Sequence, residues 1–124
     1  MEKLKIAHQA LASLGEILEE PYSVIVRDAT IQRFEYSSEA VWKAVRDWLQ
    51  VNESLDVNHP RGCYRALYRI GKIDEALSVS LLAVVEDRNR TSRAYIENVA
   101  VAVFEKIPEH YIALKSVLIL LKES

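Results

Sequence analysis

The chain has 124 residues, 50% of them apolar and 27% charged, and its 16 Lys and Arg against 18 Asp and Glu leave a net charge of −2. That length suits one domain able to bury its own core, and the near-neutral balance lacks the basic surplus of a dedicated nucleic-acid binder, although a local arginine cluster can still grip phosphate. Cys63 is the only cysteine, which excludes an internal disulfide and a cysteine-rich metal site and points to a reducing, cytoplasmic setting.

The first segment, MEKLKIAHQALASLGEILEE, mixes acidic residues into an apolar pattern, so neither a signal peptide nor a membrane span is expected. Its Leu4, Leu11, Leu14 and Leu18 form one helical stripe with Ala7 between them, and Pro21 is expected to end the helix. A second helix is predicted from Val24 to Leu49, where Ile31, Phe34, Val41, Val45 and Trp48 recur at helical steps. The polar stretch from Gln50 to His59 reads as a long connection. Pro60 suits the first turn of a short helix that Gly71 closes. Asp74 is placed to cap the next helix, whose stripe of Leu77, Leu81, Val84 and Val85 leads to Arg88. The final stretch carries Val99, Val103, Ile107, Tyr111, Leu114, Leu118 and Leu121, with Pro108 expected to kink or split it.

With 3 Gly and 3 Pro in the whole chain, breaks are few and strands are not indicated. Helices with one apolar stripe each must bury it against one another. The expected architecture is all-α, an antiparallel four-helix up-and-down bundle with one additional short helix, forming a single domain over residues 1–124.

Two stretches carry polar residues that a plain bundle does not need. In RDATIQRFEYSSEAVWK, from Arg27 to Lys43, helical spacing puts Asp28, Gln32, Glu35, Glu39, Trp42 and Lys43 on one flank beside the core stripe. The flank is either a groove wall or a solvated face on which Glu39 and Lys43 form an ordinary ion pair. In EDRNRTSRAY, from Glu86 to Tyr95, Arg88 extends an apolar stripe and so points toward the core or toward another subunit. A partly buried guanidinium there requires an anionic partner. If the helix continues, Tyr95 returns to the face of Arg88, giving a ridge of Arg88, Ser92 and Tyr95 from which Arg93 diverges. The plainer alternative is a structural ion-pair network at a helix end.

His8, His59 and His110 have no metal-ligand spacing and read as surface or capping residues. Ser37 and Ser38 lie mid-helix without a neighbouring histidine, and no glycine-rich phosphate loop or nucleophile elbow occurs.

The segment RDATIQRFEYSSEAVWKAVRDWL resembles the signature of the nucleotidyltransferase substrate-binding proteins, a branch of the HEPN superfamily. HPRGCYRALYRIGKID and LLAVVEDRNRTSRAY are similar to later motifs of that family in order and spacing. The resemblance implies a homodimeric four-helix bundle that works beside a minimal nucleotidyltransferase. ATP or another nucleotide and Mg²⁺ are then expected at that partner, with no cofactor in this chain and no membrane.

Related pairs act as toxin and antitoxin: the HEPN member is a metal-independent ribonuclease, silenced when its partner adenylylates a tyrosine. The ribonuclease motif in such relatives runs Arg, four residues, His, one residue, Tyr. Here Arg88 and Tyr95 match, with Asn89 as the polar residue after the arginine, while Arg93 occupies the histidine position. Imidazole suits proton transfer near neutral pH, whereas a guanidinium with a pKa above about 12 stays charged and can only hold phosphate. Arg88 and Asn89 then read as a phosphate-binding remnant. Ser38 also departs from relatives that carry an aromatic there, implying a wider or wetter pocket. The leading expectation is a binding subunit that presents a nucleotide-type substrate, with Glu35, Glu39, Trp42 and Arg93 as binding residues, or its own Tyr95 as an acceptor. A weakened ribonuclease with RNA as partner, and a ligand-free scaffold, are the alternatives.

Overall fold

The computed structural model describes residues 1–122, which form five α-helices and one 3₁₀ turn. They are α1 (Glu2–Ile17), α2 (Val24–Glu53), α3 (Pro60–Arg69), α4 (Glu75–Arg90), the turn (Thr91–Arg93) and α5 (Glu97–Lys122). Among the described residues there is no strand, and no helix is long and apolar enough to cross a membrane.

The helices start where side chains can satisfy orphan backbone amides. Ser23 Oγ accepts from Val26 N at 3.0 Å to open α2, His59 Nδ1 accepts from Gly62 N at 3.0 Å to open α3, and Asp74 accepts from Leu77 N at 2.8 Å to open α4. Gly62 is required at that second cap, because a Cβ there would run into the His59 ring. Gly71 follows α3 with φ +79°, a left-handed turn open to glycine, and Lys72 N donates back to Leu67 O at 2.9 Å.

The expected stripes are buried, but several boundaries move. α1 ends at Ile17, before Pro21, because Glu19 N and Glu20 N bond to Glu16 O and Ile17 O in tighter turns. α2 runs past Leu49 to Glu53 and stops where Ser54 turns left-handed at φ 54°. Residues 50–53 are exposed all round, so the helix continues there without the apolar periodicity that would reveal it. Pro108 lies inside α5 without splitting it.

α2 is the organising element, packed against α1, α3, α4 and α5, while α4 also packs against α3 and α5. All five helices contribute to one buried apolar cluster, including Leu14, Phe34, Val41, Leu67, Leu81, Val84, Ile107 and Leu118. α1 meets α5 closely at Gly15, where a Cβ would fall 2.7 Å from the Tyr111 hydroxyl oxygen.

Candidate functional site

Where α3 lies across α2 and α4, the three helices enclose a cavity of about 120 Å³ lined by Ser38, Glu39 and Trp42 of α2, Pro60 and Tyr64 of α3, and Val84, Val85, Arg88 and Asn89 of α4. Helical spacing explains the two main walls: positions 38, 39 and 42 share one face of α2, and positions 84, 85, 88 and 89 share one face of α4. The polar flank foreseen on α2 is thus a groove wall at Glu39 and Trp42. The i,i+4 pair is present too, with Lys43 Nζ 3.7 Å from Glu39 Oε2.

Arg88 projects inward between two carboxylates. Its Nη1 lies 3.6 Å from Glu35 Oε2 and its Nε 3.8 Å from Glu39 Oε1, both beyond hydrogen-bond length. Nη1 does donate to Thr91 Oγ1 at 3.1 Å. Nε is buried with no hydrogen-bond partner, and so is the Ser38 hydroxyl on the opposite wall. Buried polar groups left unpaired are costly and uncommon, and these two border the same cavity.

The aromatic wall is held in place. Trp42 Nε1 donates to Glu39 Oε2 at 3.3 Å, and the Arg46 guanidinium stands 5.6 Å from the centre of the indole ring. Burial pushes the Tyr64 phenol up, with the charges of Cys63 and Glu39 adding to the effect. Tyr64 therefore remains a neutral hydroxyl and does not serve as a base.

The other half of the arginine-rich stretch goes elsewhere. α4 ends at Arg90 and the chain tightens into the 3₁₀ turn, where Thr91 Oγ1 donates to Arg88 O at 2.6 Å and Ala94 N donates to Thr91 O at 3.1 Å. The expected ridge of Arg88, Ser92 and Tyr95 does not form, since it requires the helix to continue. Tyr95 is 85% exposed, and Arg93 is exposed and does not line the cavity. Of the expected binding residues, Glu39, Trp42, Arg88 and Asn89 come together, Glu35 approaches through Arg88, and Arg93 stands apart.

One buried ionisable group corrects the sequence reading, and a second was not foreseen. His110, expected at the surface, is 4% exposed; its Nε2 lies 2.7 Å from Asp87 Oδ2 and its ring stacks on Phe34 with centroids 5.3 Å apart. A carboxylate only accepts, so the ring nitrogen facing it carries the proton. Asp87 Oδ1 also accepts from Arg90 at 3.0 Å. The available signal was spacing, for His110 stands three residues after Ile107 and four before Leu114. Arg27 is likewise buried and joins α2 to α5, with Nη1 donating to Glu97 at 2.6 Å and Nε to Asp28 at 3.1 Å. Asp28 is thereby withdrawn from the cavity flank. Among the described residues no three His, Cys, Asp or Glu side chains are grouped to hold a metal ion.

A comparison with curated proteins finds no match. A protein from Thermus thermophilus, known from its crystal structure, is 37% identical with a TM-score of 0.88 over 93% of this chain and 98% of that one. The tri-AMPylated HEPN toxin of Shewanella oneidensis, solved in complex with its MNT antitoxin, has the same fold with a TM-score of 0.80 at 15% identity, over 99% of this chain and 96% of that one. The family model described as nucleotidyltransferase substrate binding protein like matches residues 2–121. With its motifs, its helical order and nearly its whole length accounted for, the chain belongs to the nucleotidyltransferase substrate-binding protein family.

Proposed function

We propose that this protein is the non-catalytic binding subunit of a two-component system. It is an antiparallel four-helix up-and-down bundle with one additional short helix, a single domain that pairs as a homodimer and associates with a minimal nucleotidyltransferase in the cytoplasm. It offers that enzyme either a nucleotide-type substrate held beside Arg88 or its own Tyr95. The observation that carries the reading is the cavity itself: it is lined by Arg88 and Ser38, whose Nε and Oγ are buried and unpaired, with Glu39 and Trp42 in its wall. The family description and the MNT complex of the Shewanella toxin favour the partner.

The exposure of Tyr95 favours the acceptor role. In that reaction the Tyr95 oxygen bonds to the α-phosphorus of ATP as the bond to pyrophosphate breaks, and the phenolic proton leaves to solvent. ATP and Mg²⁺ are bound by the partner.

Co-expression with the nucleotidyltransferase, followed by affinity capture and intact mass spectrometry, tests both roles. A stable complex with an AMP adduct confined to Tyr95 supports the acceptor role. A complex that retains nucleotide without an adduct supports presentation. Failure to form any complex overturns the proposal.

The ribonuclease alternative is disfavoured because Arg93 replaces the proton-transferring histidine, which typically costs about 10²–10⁴-fold in rate. RNA cleavage is expected to be weak or absent in the natural protein. Cleavage as fast as that of an Arg93→His variant, with or without Mg²⁺, would reinstate it.

A further inference from the structure

The sizes and charges at the cavity bear on which part of a nucleotide enters it. An engineered apolar cavity of about 150 Å³ takes one benzene ring, and complete ligand pockets run to about 300–1,000 Å³. A cavity of about 120 Å³ therefore matches a single six-membered ring, with the rest of any nucleotide left at its mouth.

Charge argues against phosphate. Arg88 is flanked by Glu35 at 3.6 Å and Glu39 at 3.8 Å, so an anion drawn to the guanidinium must approach two carboxylates in a partly dehydrated space. The hydrogen-bonding inventory is that of a base edge instead. Arg88 Nε–H is a donor, the Glu39 carboxylate is an acceptor, and these two atoms are 3.8 Å apart. The Ser38 hydroxyl, on a residue only 4% exposed, can donate or accept. A ring edge with an N–H beside a carbonyl or imine acceptor satisfies Glu39 and the Arg88 N–H together. Trp42, Tyr64, Val84 and Val85 supply apolar surface for the faces of the ring.

We infer that the cavity takes one planar ring carrying a hydrogen-bond donor next to an acceptor, a pyrimidine-type base, and leaves the phosphate of its nucleotide outside. The inference rests on the nucleotide-presenting role proposed above and names the part of the substrate that the role acts on.

Calorimetric titration of the full chain, alone and in its complex with the nucleotidyltransferase, is the test, with cytidine, uridine, adenosine, CMP, AMP, ribose 5-phosphate and inorganic phosphate as probes. Cytidine or uridine is expected to bind, CMP to match its nucleoside within about twofold, adenosine to be at least about tenfold weaker, and ribose 5-phosphate and phosphate not to compete. Ser38→Ala is expected to weaken pyrimidine binding about threefold to tenfold, the range for loss of one hydrogen bond. Arg88→Lys keeps the positive charge but loses the Nε–H of the guanidinium, and it is expected to weaken binding comparably. Unchanged thermal unfolding of Ser38→Ala separates a binding loss from misfolding.

Displacement of CMP by phosphate or ribose 5-phosphate, or full binding by Arg88→Lys, overturns the placement of the ring while nucleotide presentation stands. Preference for adenosine overturns the single-ring assignment alone. No binding of any nucleoside or nucleotide to the chain or the complex overturns both the inference and the presenting role.

Discussion

Arg88 and Arg93 stand five positions apart in the sequence, yet they occupy opposite environments. Arg88 is on the last turn of α4, half-buried between carboxylates and facing a small cavity, whereas Arg93 sits on a one-turn 3₁₀ segment in solvent with Tyr95 just beyond it. One arginine-rich motif thus serves two surfaces. The inner half, Asp87 and Arg88, is tied to packing, and the outer half, Arg93 and Tyr95, is exposed to solvent. The difference turns on where the helix stops. Had α4 continued, Tyr95 would share the face of Arg88.

The contrast can be broken first from the inside. Phe34→Ala removes a fully buried ring that stacks on His110 and is expected to cost about 3–5 kcal/mol of stability in urea denaturation. Asp87→Ala leaves His110 and Arg90 without their shared acceptor and is expected to cost about 2–3 kcal/mol in the same measurement, because a buried polar group is stranded.

Cys63 sharpens the inner side through pH. Its thiol is buried and donates to Val57 O at 3.4 Å, and desolvation pushes its pKa from 9.0 up to about 11. Between those values the unfolded thiol gives up its proton while the native one keeps it, so stability falls as pH rises through the window, by about 2–3 kcal/mol. The raised Tyr64 phenol acts in the same direction above its ordinary value of 10.0. Denaturation midpoints across this range check the sign, and Cys63→Ala should remove the early part of the decline.

The smallest stability effects belong outside. Arg93→Ala and Tyr95→Phe are each expected to change stability by less than about 0.5 kcal/mol, while Tyr95→Phe abolishes any AMP adduct in co-expression mass spectra. A large loss of stability from either substitution would erase the distinction between the two halves.

How far the sequence could be read follows the same division. Apolar stripes such as Leu11 and Leu14, Phe34 and Val41, or Leu81 and Val84 disclosed the helices and their buried faces, because burial imposes periodicity. Arg88 was legible as inward-pointing for that reason, since it extends one of those stripes. The contribution of Tyr64 and Pro60 to the cavity was hidden, because it arises from α3 lying across two helices distant in sequence. Thr91 gave no sign that its hydroxyl would cap the Arg88 carbonyl and release Tyr95 from the helix. His110 was obscured by Tyr111, which fits the apolar repeat one position later and is itself only partly buried.

The bridge that carries Tyr95 is fastened at both ends: Arg88 holds Thr91 at 3.1 Å, and Arg27 holds Glu97 at 2.6 Å. Only the residues between 91 and 97 separate these anchors, so the phenol is mounted as a peg of short reach on the rigid frame of α2, α4 and α5. The backbone beneath it is held at both ends, so ordering that segment at an encounter would sacrifice little conformational freedom. Were Tyr95 the acceptor proposed above, the demand would fall on the enzyme, whose cleft would have to be lowered over a tyrosine carried on a short bridge instead of drawing in a flexible tail.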